Sequence, residues 1–170
     1  VYTPAGYDPQ RREKYPVLYL LHGFSDDASG WTSVGQAHVI LDNLIAAKKV
    51  VPKLVVMTLG YGAPEIVTRG PRPPQLGQKN MVGYRDALFA EVIPAIEREY
   101  HADPRRERRA IAGLSMGGAE SLFVGLNAID RFAWVGAFSS GGLGDPATFP
   151  QTFPALTAGE GKRLQLLWIS

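Results

Sequence analysis

The chain has 170 residues, of which 45% are hydrophobic and 20% are charged, so we expect a single folded domain over residues 1–170. A net charge of +2 does not indicate nucleic acid as a partner, and no apolar run is as long as a membrane-spanning helix. Because the chain has no cysteine, disulfides, thiolate nucleophiles and cysteine-ligated metals are excluded.

The predicted elements alternate along the chain between strands and helices. Five apolar segments indicate strands at residues 17–21, 54–59, 110–114, 134–138 and 164–169. Most are continuous rather than alternating, which is typical of strands covered on both faces of a parallel sheet. Residues 34–48 and 89–100 have the apolar spacing of helices, with a kink expected at Pro94. The pattern predicts an α/β fold with a mainly parallel central sheet and flanking helices.

Residues 60–80 form a polar segment rich in glycine and proline, which predicts a long loop. It follows a predicted strand, so it lies at the edge of the sheet where α/β proteins place their sites. The loop is either a wall of a substrate cleft or a plain surface excursion.

The pentapeptide Gly113-Leu114-Ser115-Met116-Gly117 lies between a predicted strand and a helical pattern that begins at Gly118. A serine on a sharp turn between strand and helix exposes its hydroxyl above the sheet, and the flanking glycines allow the close backbone approach. This nucleophile elbow makes Ser115 the candidate catalytic nucleophile. The alternative is a glycine-rich loop with an incidental serine.

Acyl transfer by a serine also needs donors for the developing oxyanion. The backbone N–H of Met116, directly after the serine, is one predicted donor. His22-Gly23-Phe24 follows the first predicted strand, and we assign the second donor to the N–H of Phe24.

Two segments resemble the esterase D-like α/β-hydrolases, a group that includes the feruloyl and acetylxylan esterases of carbohydrate esterase family one. They are residues 15–24, followed by Trp31, and residues 110–118, followed by Arg131-Phe132-Ala133. The segment at residues 60–65 is most similar to the feruloyl-esterase branch. The resemblance implies a carboxylic ester hydrolase that forms an acyl-enzyme on Ser115 and acts on feruloyl or related plant-cell-wall esters. It also implies a secreted or periplasmic location.

Aromatic side chains near the predicted cleft are candidates for substrate binding. Trp31 and Tyr61 could stack on a phenolic acyl group or a sugar of a small-molecule or polysaccharide-linked ester. Packing in the core is an equal alternative for Trp31. No metal or other cofactor is expected, because the histidine and acidic residues have no ligand spacing.

The resemblance further implies a catalytic acid and then a histidine after the strand at residues 164–169, whereas the sequence ends at Ser170. We therefore expect the acid and base to lie outside this sequence, and the hydrolase fold to be incomplete at its C-terminus. His22 is assigned to the oxyanion turn, His38 to a helix and His101 to a helix end. Asp145 is a stand-in acid or, preferably, part of an ordinary turn.

Two other functions stay open from the sequence: a non-catalytic binding module on a hydrolase fold, and an acyltransferase of the same superfamily. Without the last strand and helix of the hydrolase fold, the sheet would have an apolar edge open to pairing with another chain. We expect this edge to cause aggregation or to associate with a partner that covers it.

Overall fold

The computed structural model describes residues 1–71 and 73–170, which are organised around a parallel five-stranded sheet. Its strands, in chain order, are β1 Val17–Leu21, β2 Leu54–Val56, β3 Arg109–Leu114, β4 Trp134–Phe138 and β5 Leu166–Ile169. Their order across the sheet is β2-β1-β3-β4-β5. The chain therefore leaves β1 in one direction to form β2 and returns on the other side of β1 to form β3. A crevice opens at such a reversal, outside the carboxyl ends of the two strands.

The helices flank this sheet, which confirms the predicted α/β class. They are α1 Gly30–Ser33, α2 Ala37–Ala46, α3 Leu76–Ala87, α4 Ile93–Glu99, α5 Met116–Asn127, α6 Phe149–Thr152 and α7 Pro154–Thr157. A π-helical turn, Leu88–Val92, joins α3 to α4 just before Pro94. Proline has no N–H to donate to the preceding turn, so a local departure from α-helical geometry is expected at this point.

Several predicted boundaries were wrong. The second strand ends at Val56 instead of Leu59, and the first long helix begins at Ala37, which leaves Val34 outside it and 82% exposed. The predicted loop at residues 60–80 contains a 3₁₀ turn, Pro64–Val67, and the first turn of α3. Helix α3 buries Leu76, Asn80 and Tyr84. Because a polar residue occupies the middle of this buried stripe, the apolar spacing that indicates a helix is interrupted.

The two faces of the sheet are covered to different extents. Helices α3, α4 and α5 pack with one face around a large buried cluster that includes Tyr19, Ile111 and Phe132. On the opposite face, a smaller cluster at Leu20 and Val55 lies beside α2. We call the remainder of that opposite face the open face; it consists of partly exposed apolar side chains on β4 and β5, namely Trp134, Phe138, Leu166 and Trp168.

Candidate active site

Ser115 lies on the sharp turn between β3 and α5, as the sequence predicted. Its φ of 54° and ψ of −113° fall outside the regions that non-glycine residues normally occupy. The turn is held because the Ser115 N–H donates to the Phe138 carbonyl at 2.9 Å and its carbonyl accepts from Ala119 at 3.0 Å. The residue is exposed at the carboxyl edge of the sheet. Strain of this kind, maintained by surrounding bonds, is typical of a nucleophile elbow.

The glycines around Ser115 allow backbones to approach more closely than any side chain would permit. A Cβ atom at Gly113 would lie 2.4 Å from the Gly117 carbonyl carbon, and one at Gly117 would lie 2.5 Å from the His22 carbonyl oxygen. Both distances are well inside van der Waals contact. Helix α5 is therefore seated directly on the end of β1, next to the predicted oxyanion residues.

Residues 22–26 form a tight turn after β1, which we call the oxyanion turn. The Asp26 N–H donates to the Gly23 carbonyl at 3.2 Å. A Cβ atom at Gly23 would lie 3.6 Å from the Ser115 Cβ, so the turn is adjacent to the nucleophile. Met116 is the first residue of α5, and its N–H is among those that find no acceptor within their own helix. Gly23, which precedes Phe24, and Met116 are thus both adjacent to Ser115. The roles of Phe24 and Met116 as oxyanion donors stay predictions.

The His22 side chain links the oxyanion turn, by a hydrogen bond, to the segment that follows β2. Its side chain is 1% exposed; Nδ1 is 2.8 Å from the Gly23 carbonyl, and Nε2 accepts from the Gly60 N–H at 2.9 Å. Since a carbonyl can only accept, Nδ1 carries the proton and Nε2 does not. Both ring nitrogens are occupied, which leaves neither free to take a proton from Ser115.

A buried polar group beneath the site was not found from the sequence. Glu120 on α5 is fully buried, and its Oε1 accepts from Asn80 Nδ2 at 2.7 Å. Its Oε2 has no hydrogen-bond partner among the described residues. Burial raises the pKa of Glu120 from 4.5 to about 8, against a smaller lowering by the bond from Asn80. The carboxyl is therefore mostly uncharged at neutral pH.

Tyr61 and Trp31 occupy different surroundings. The Tyr61 ring lies 5.2 Å from the His22 ring and 6.4 Å from the Phe24 ring, and its hydroxyl donates to the Asp26 carbonyl at 2.9 Å. Tyr61 therefore borders the oxyanion turn. Trp31 packs beside the smaller apolar cluster, and its indole N–H donates to the Leu21 carbonyl at 3.0 Å. These contacts favour the packing alternative for Trp31, and substrate contact by either residue stays a prediction.

His101 and Asp145 have structural partners, whereas the buried Nδ1 of His38 has no hydrogen-bond partner among the described residues. His101 Nε2 lies 2.8 Å from the Arg11 carbonyl, and His38 lies on α2. The Asp145 carboxylate accepts from the Ala147 N–H at 2.8 Å, which agrees with the preferred assignment of Asp145 to a turn. Across residues 1–71 and 73–170, no histidine nitrogen makes a hydrogen bond with the Ser115 hydroxyl.

The described residues form neither a metal site nor a membrane-spanning helix. Within the described part of the chain, no group of three or more histidine or acidic side chains could hold a metal ion. None of the helices there is both long and apolar enough to span a membrane.

Comparisons with known proteins agree with this geometry. The model of the family described as "Putative esterase" matches residues 1–158. An endo-1,4-β-xylanase/feruloyl esterase of Xylanibacter ruminicola is 35% identical over 144 residues, which cover 83% of this chain and 19% of that protein. The CE1 ferulic acid esterase AmCE1/Fae1A of Anaeromyces mucronatus has 27% identity and superposes with a TM-score of 0.72 over 82% of this chain and 51% of that chain.

The chain thus spans about half the length of the solved ferulic acid esterase and a smaller share of the xylanase/feruloyl esterase. The family match includes Ser115 and the oxyanion turn, and the structural likeness extends over 82% of the chain. The chain belongs to this esterase family and has the α/β-hydrolase fold.

Proposed function

We propose that the protein is a serine carboxylesterase and that its substrates are feruloyl or related esters of the plant cell wall. The observation that carries the proposal is the strained Ser115 turn, which is adjacent to the oxyanion turn. A binding module has no use for a serine held in this conformation. Family membership supports ester hydrolysis independently of that geometry.

In the proposed reaction, Ser115 Oγ attacks the ester carbonyl carbon while its proton passes to a general base. The carbonyl oxygen becomes an oxyanion, which the N–H groups of Phe24 and Met116 stabilise. The intermediate collapses to an acyl-enzyme as the C–O bond to the alcohol breaks and the alcohol oxygen takes the proton. Water then attacks the acyl-enzyme, and the acid and free Ser115 are released. Transfer to an alcohol instead of water is the acyltransferase alternative.

The general base and the acid that orients it stay assigned to residues outside this sequence. The occupied nitrogens of His22 and the structural contact of His101 support this assignment. Without an imidazole, a serine hydroxyl is a weak nucleophile at neutral pH. An oxyanion hole and binding alone still accelerate such reactions by about 10³–10⁴ over water.

The substrate assignment rests on the relatives. Both a xylanase/feruloyl esterase and a ferulic acid esterase resemble the chain, and the latter has also been solved in complex with ferulic acid. The aromatic rings of Tyr61 and Phe24 beside the oxyanion turn suit a phenolic acyl group. Esters of this kind are linked to extracellular polysaccharide, so we place the protein outside the cytoplasm, secreted or periplasmic.

The proposal is tested by treating a protein that contains this chain together with the catalytic acid and base with a fluorophosphonate ester and measuring the intact mass. We expect one adduct per molecule and none on Ser115→Ala, because only an activated serine reacts with this reagent. The same preparations are then given methyl ferulate. We expect Ser115→Ala to lower kcat by at least about 10³-fold.

The outcomes separate the candidate functions. An adduct without release of free ferulic acid, but with transfer to an added alcohol, would identify an acyltransferase. Absence of any adduct on a preparation that contains a complete triad would contradict both catalytic functions and leave the binding module.

A further inference from the structure

The buried carboxyl of Glu120 has a defined geometry that the reaction above does not use. We propose that Glu120 is a positioning residue: as an uncharged acid it holds Asn80 against residues 60–63, and this segment holds His22 and the oxyanion turn beside Ser115. The proposal rests on the proposed function of Ser115. It predicts that loss of the Glu120 proton slows attack by the serine.

The first step is the contact between Glu120 and Asn80. Glu120 Oε1 accepts from Asn80 Nδ2 at 2.7 Å, and the two side chains are 0% and 1% exposed. Helix α5, which begins directly after Ser115, is thereby joined to α3 by a hydrogen bond that is shielded from water.

The second step is the pair of hydrogen bonds between the Asn80 side chain and residues 60–63, which we call the clamp loop. The Asn80 amide donates to the Gly60 carbonyl at 3.3 Å and accepts from the Ala63 N–H at 3.1 Å. One side chain therefore holds both ends of the loop. The loop also lies against the backbone of α3, since a Cβ atom at Gly83 would be 2.3 Å from the Gly62 carbonyl oxygen.

The third step leads from the clamp loop to the nucleophile. The Gly60 N–H donates to His22 Nε2 at 2.9 Å, and His22 Nδ1 donates to the Gly23 carbonyl at 2.8 Å. Gly23 in turn lies beside Ser115. A chain of hydrogen bonds thus runs from Glu120 through Asn80, the clamp loop and His22 to the oxyanion turn.

The position of Glu120 Oε2 explains why loss of the Glu120 proton is expected to displace the clamp loop. A Cβ atom at Gly60 would lie 3.0 Å from this oxygen, so it faces the clamp loop, and it has no hydrogen-bond partner among the described residues. An ionised, buried and half-satisfied carboxylate is costly, and the structure relieves this cost by admitting water or moving the group. Either response displaces the loop that Oε2 faces.

The groups around Glu120 do not compensate a negative charge. Asn80 and Tyr84 face it from α3, and His22 does so from the turn that follows β1. Burial is the main reason that the pKa of Tyr84 is raised, and the nearby Glu120 raises it further. Among the described residues, Glu120 takes part in no ion pair.

The test uses the protein that also contains the catalytic acid and base, and it compares wild type with Glu120→Gln, which keeps an uncharged acceptor for Asn80 at every pH. The rate of fluorophosphonate labelling of Ser115 is measured from about pH 7 to about pH 9.5, where a group that titrates near pH 8 changes its charge. We expect the wild-type rate to fall about tenfold over this range and the Glu120→Gln rate to stay level. Glu65→Gln, which removes an exposed carboxylate just beyond the clamp loop, is the matched control and is expected to follow wild type.

A second readout does not depend on catalysis. Trypsin can cleave after Arg69, which is exposed and follows the clamp loop. We expect the rate of this cleavage in wild type, divided by the rate in Glu120→Gln at the same pH, to rise several-fold between about pH 7 and about pH 9.5. The division cancels the pH dependence of trypsin itself.

An unchanged cleavage ratio, or the same alkaline fall in labelling for both proteins, would overturn the proposal. If Ser115 is not labelled in any variant, the proposed function fails, while the cleavage ratio still tests the clamp loop. If Glu120→Gln does not fold, the infrared spectrum of wild type is used instead to determine whether the buried carboxyl is protonated at neutral pH. A protonated-carboxyl band at neutral pH that disappears in alkali supports the proposal, and its absence at neutral pH contradicts it.

Discussion

Gly117, the second glycine of the nucleophile elbow, has no space around it for a larger side chain. A Cβ atom there would lie 2.5 Å from the His22 carbonyl oxygen, which belongs to backbone and cannot swing away. We expect Gly117→Ala to lower the free energy of unfolding by about 1–3 kcal/mol, because α5 must move off the end of β1. Urea unfolding followed by circular dichroism measures this change.

Gly77→Ala is the control for that prediction. Gly77 lies in α3, and nothing is within 4 Å of the position of its Cβ. Alanine there is expected to leave stability unchanged or to raise it by up to about 1 kcal/mol, since it favours the helix. Equal destabilisation by both substitutions would show that contact with His22 is not the cause.

Glu120 makes stability depend on pH in a defined direction. Burial raises its pKa from 4.5 to about 8, so between these values the folded state binds a proton that the unfolded state has lost. The free energy of unfolding contributed by this group is therefore fully present in acid and falls as the pH rises, until it levels off above about pH 8.

Glu120→Gln removes this dependence. We expect its stability relative to wild type to increase by several kcal/mol between about pH 5 and about pH 9, since each pKa unit corresponds to about 1.4 kcal/mol. Urea unfolding of both proteins at a series of pH values measures the difference. A difference that is the same at every pH would mean that the Glu120 carboxyl titrates normally.

The turn at Ser115 between a strand and a helix, and the turn after β1, could be predicted from the sequence because the residues that form each turn are neighbours in the chain. Glu120 could not be found in the same way. Its partner Asn80 is 40 positions away, and an acidic residue in a helix next to a turn is usually solvated. Only the packing of α3 on α5 shows that both are buried.

Among the elements, α1 is attached to the sheet mainly through Trp31. The indole N–H donates to the Leu21 carbonyl at the end of β1, and the ring packs beside the smaller apolar cluster. We expect Trp31→Phe to lower the free energy of unfolding by about 1 kcal/mol through the lost hydrogen bond. If packing is the role of Trp31, KM for methyl ferulate stays within about twofold of wild type; a rise of tenfold or more would instead place Trp31 in the substrate site.

The strands were predicted more accurately than the helices, for a physical reason. Strands covered on both faces are continuous apolar runs, which the sequence shows directly. The buried side of α3 includes Asn80, whose polar group is satisfied by partners in the clamp loop and on α5. A buried residue of that kind is recognised only when its partners are known, so the first turn of α3 was mistaken for a loop.

At the scale of the whole molecule, the open face predicts association of a protein that consists of these 170 residues. Leu166 and Trp168 of β5 are 45% and 53% exposed and continue the apolar surface of β4. Contiguous apolar surface beside a strand whose outer edge is unpaired favours self-association. We expect sedimentation velocity to show species larger than a monomer, and Trp168→Glu to reduce them.

Val34→Glu is the comparison for the open face. Val34 is 82% exposed and lies between α1 and α2, away from β5. Val34→Glu introduces the same charge as Trp168→Glu, but at an isolated apolar residue. We expect its sedimenting species to have the same distribution as those of the unsubstituted protein. If both substitutions reduce association equally, net charge rather than the open face controls it.

The order of the strands has a consequence for amide hydrogen exchange. β1 and β3 are bonded to a strand on each side, whereas β5 is bonded to β4 alone and is exposed along its length. In a protein that consists of these 170 residues, amides of β1 and β3 are therefore expected to exchange only when the domain unfolds as a whole, and those of β5 through local opening. The oxyanion turn and Ser115 extend from the two slowly exchanging strands, so the site keeps its shape while the far edge of the sheet frays.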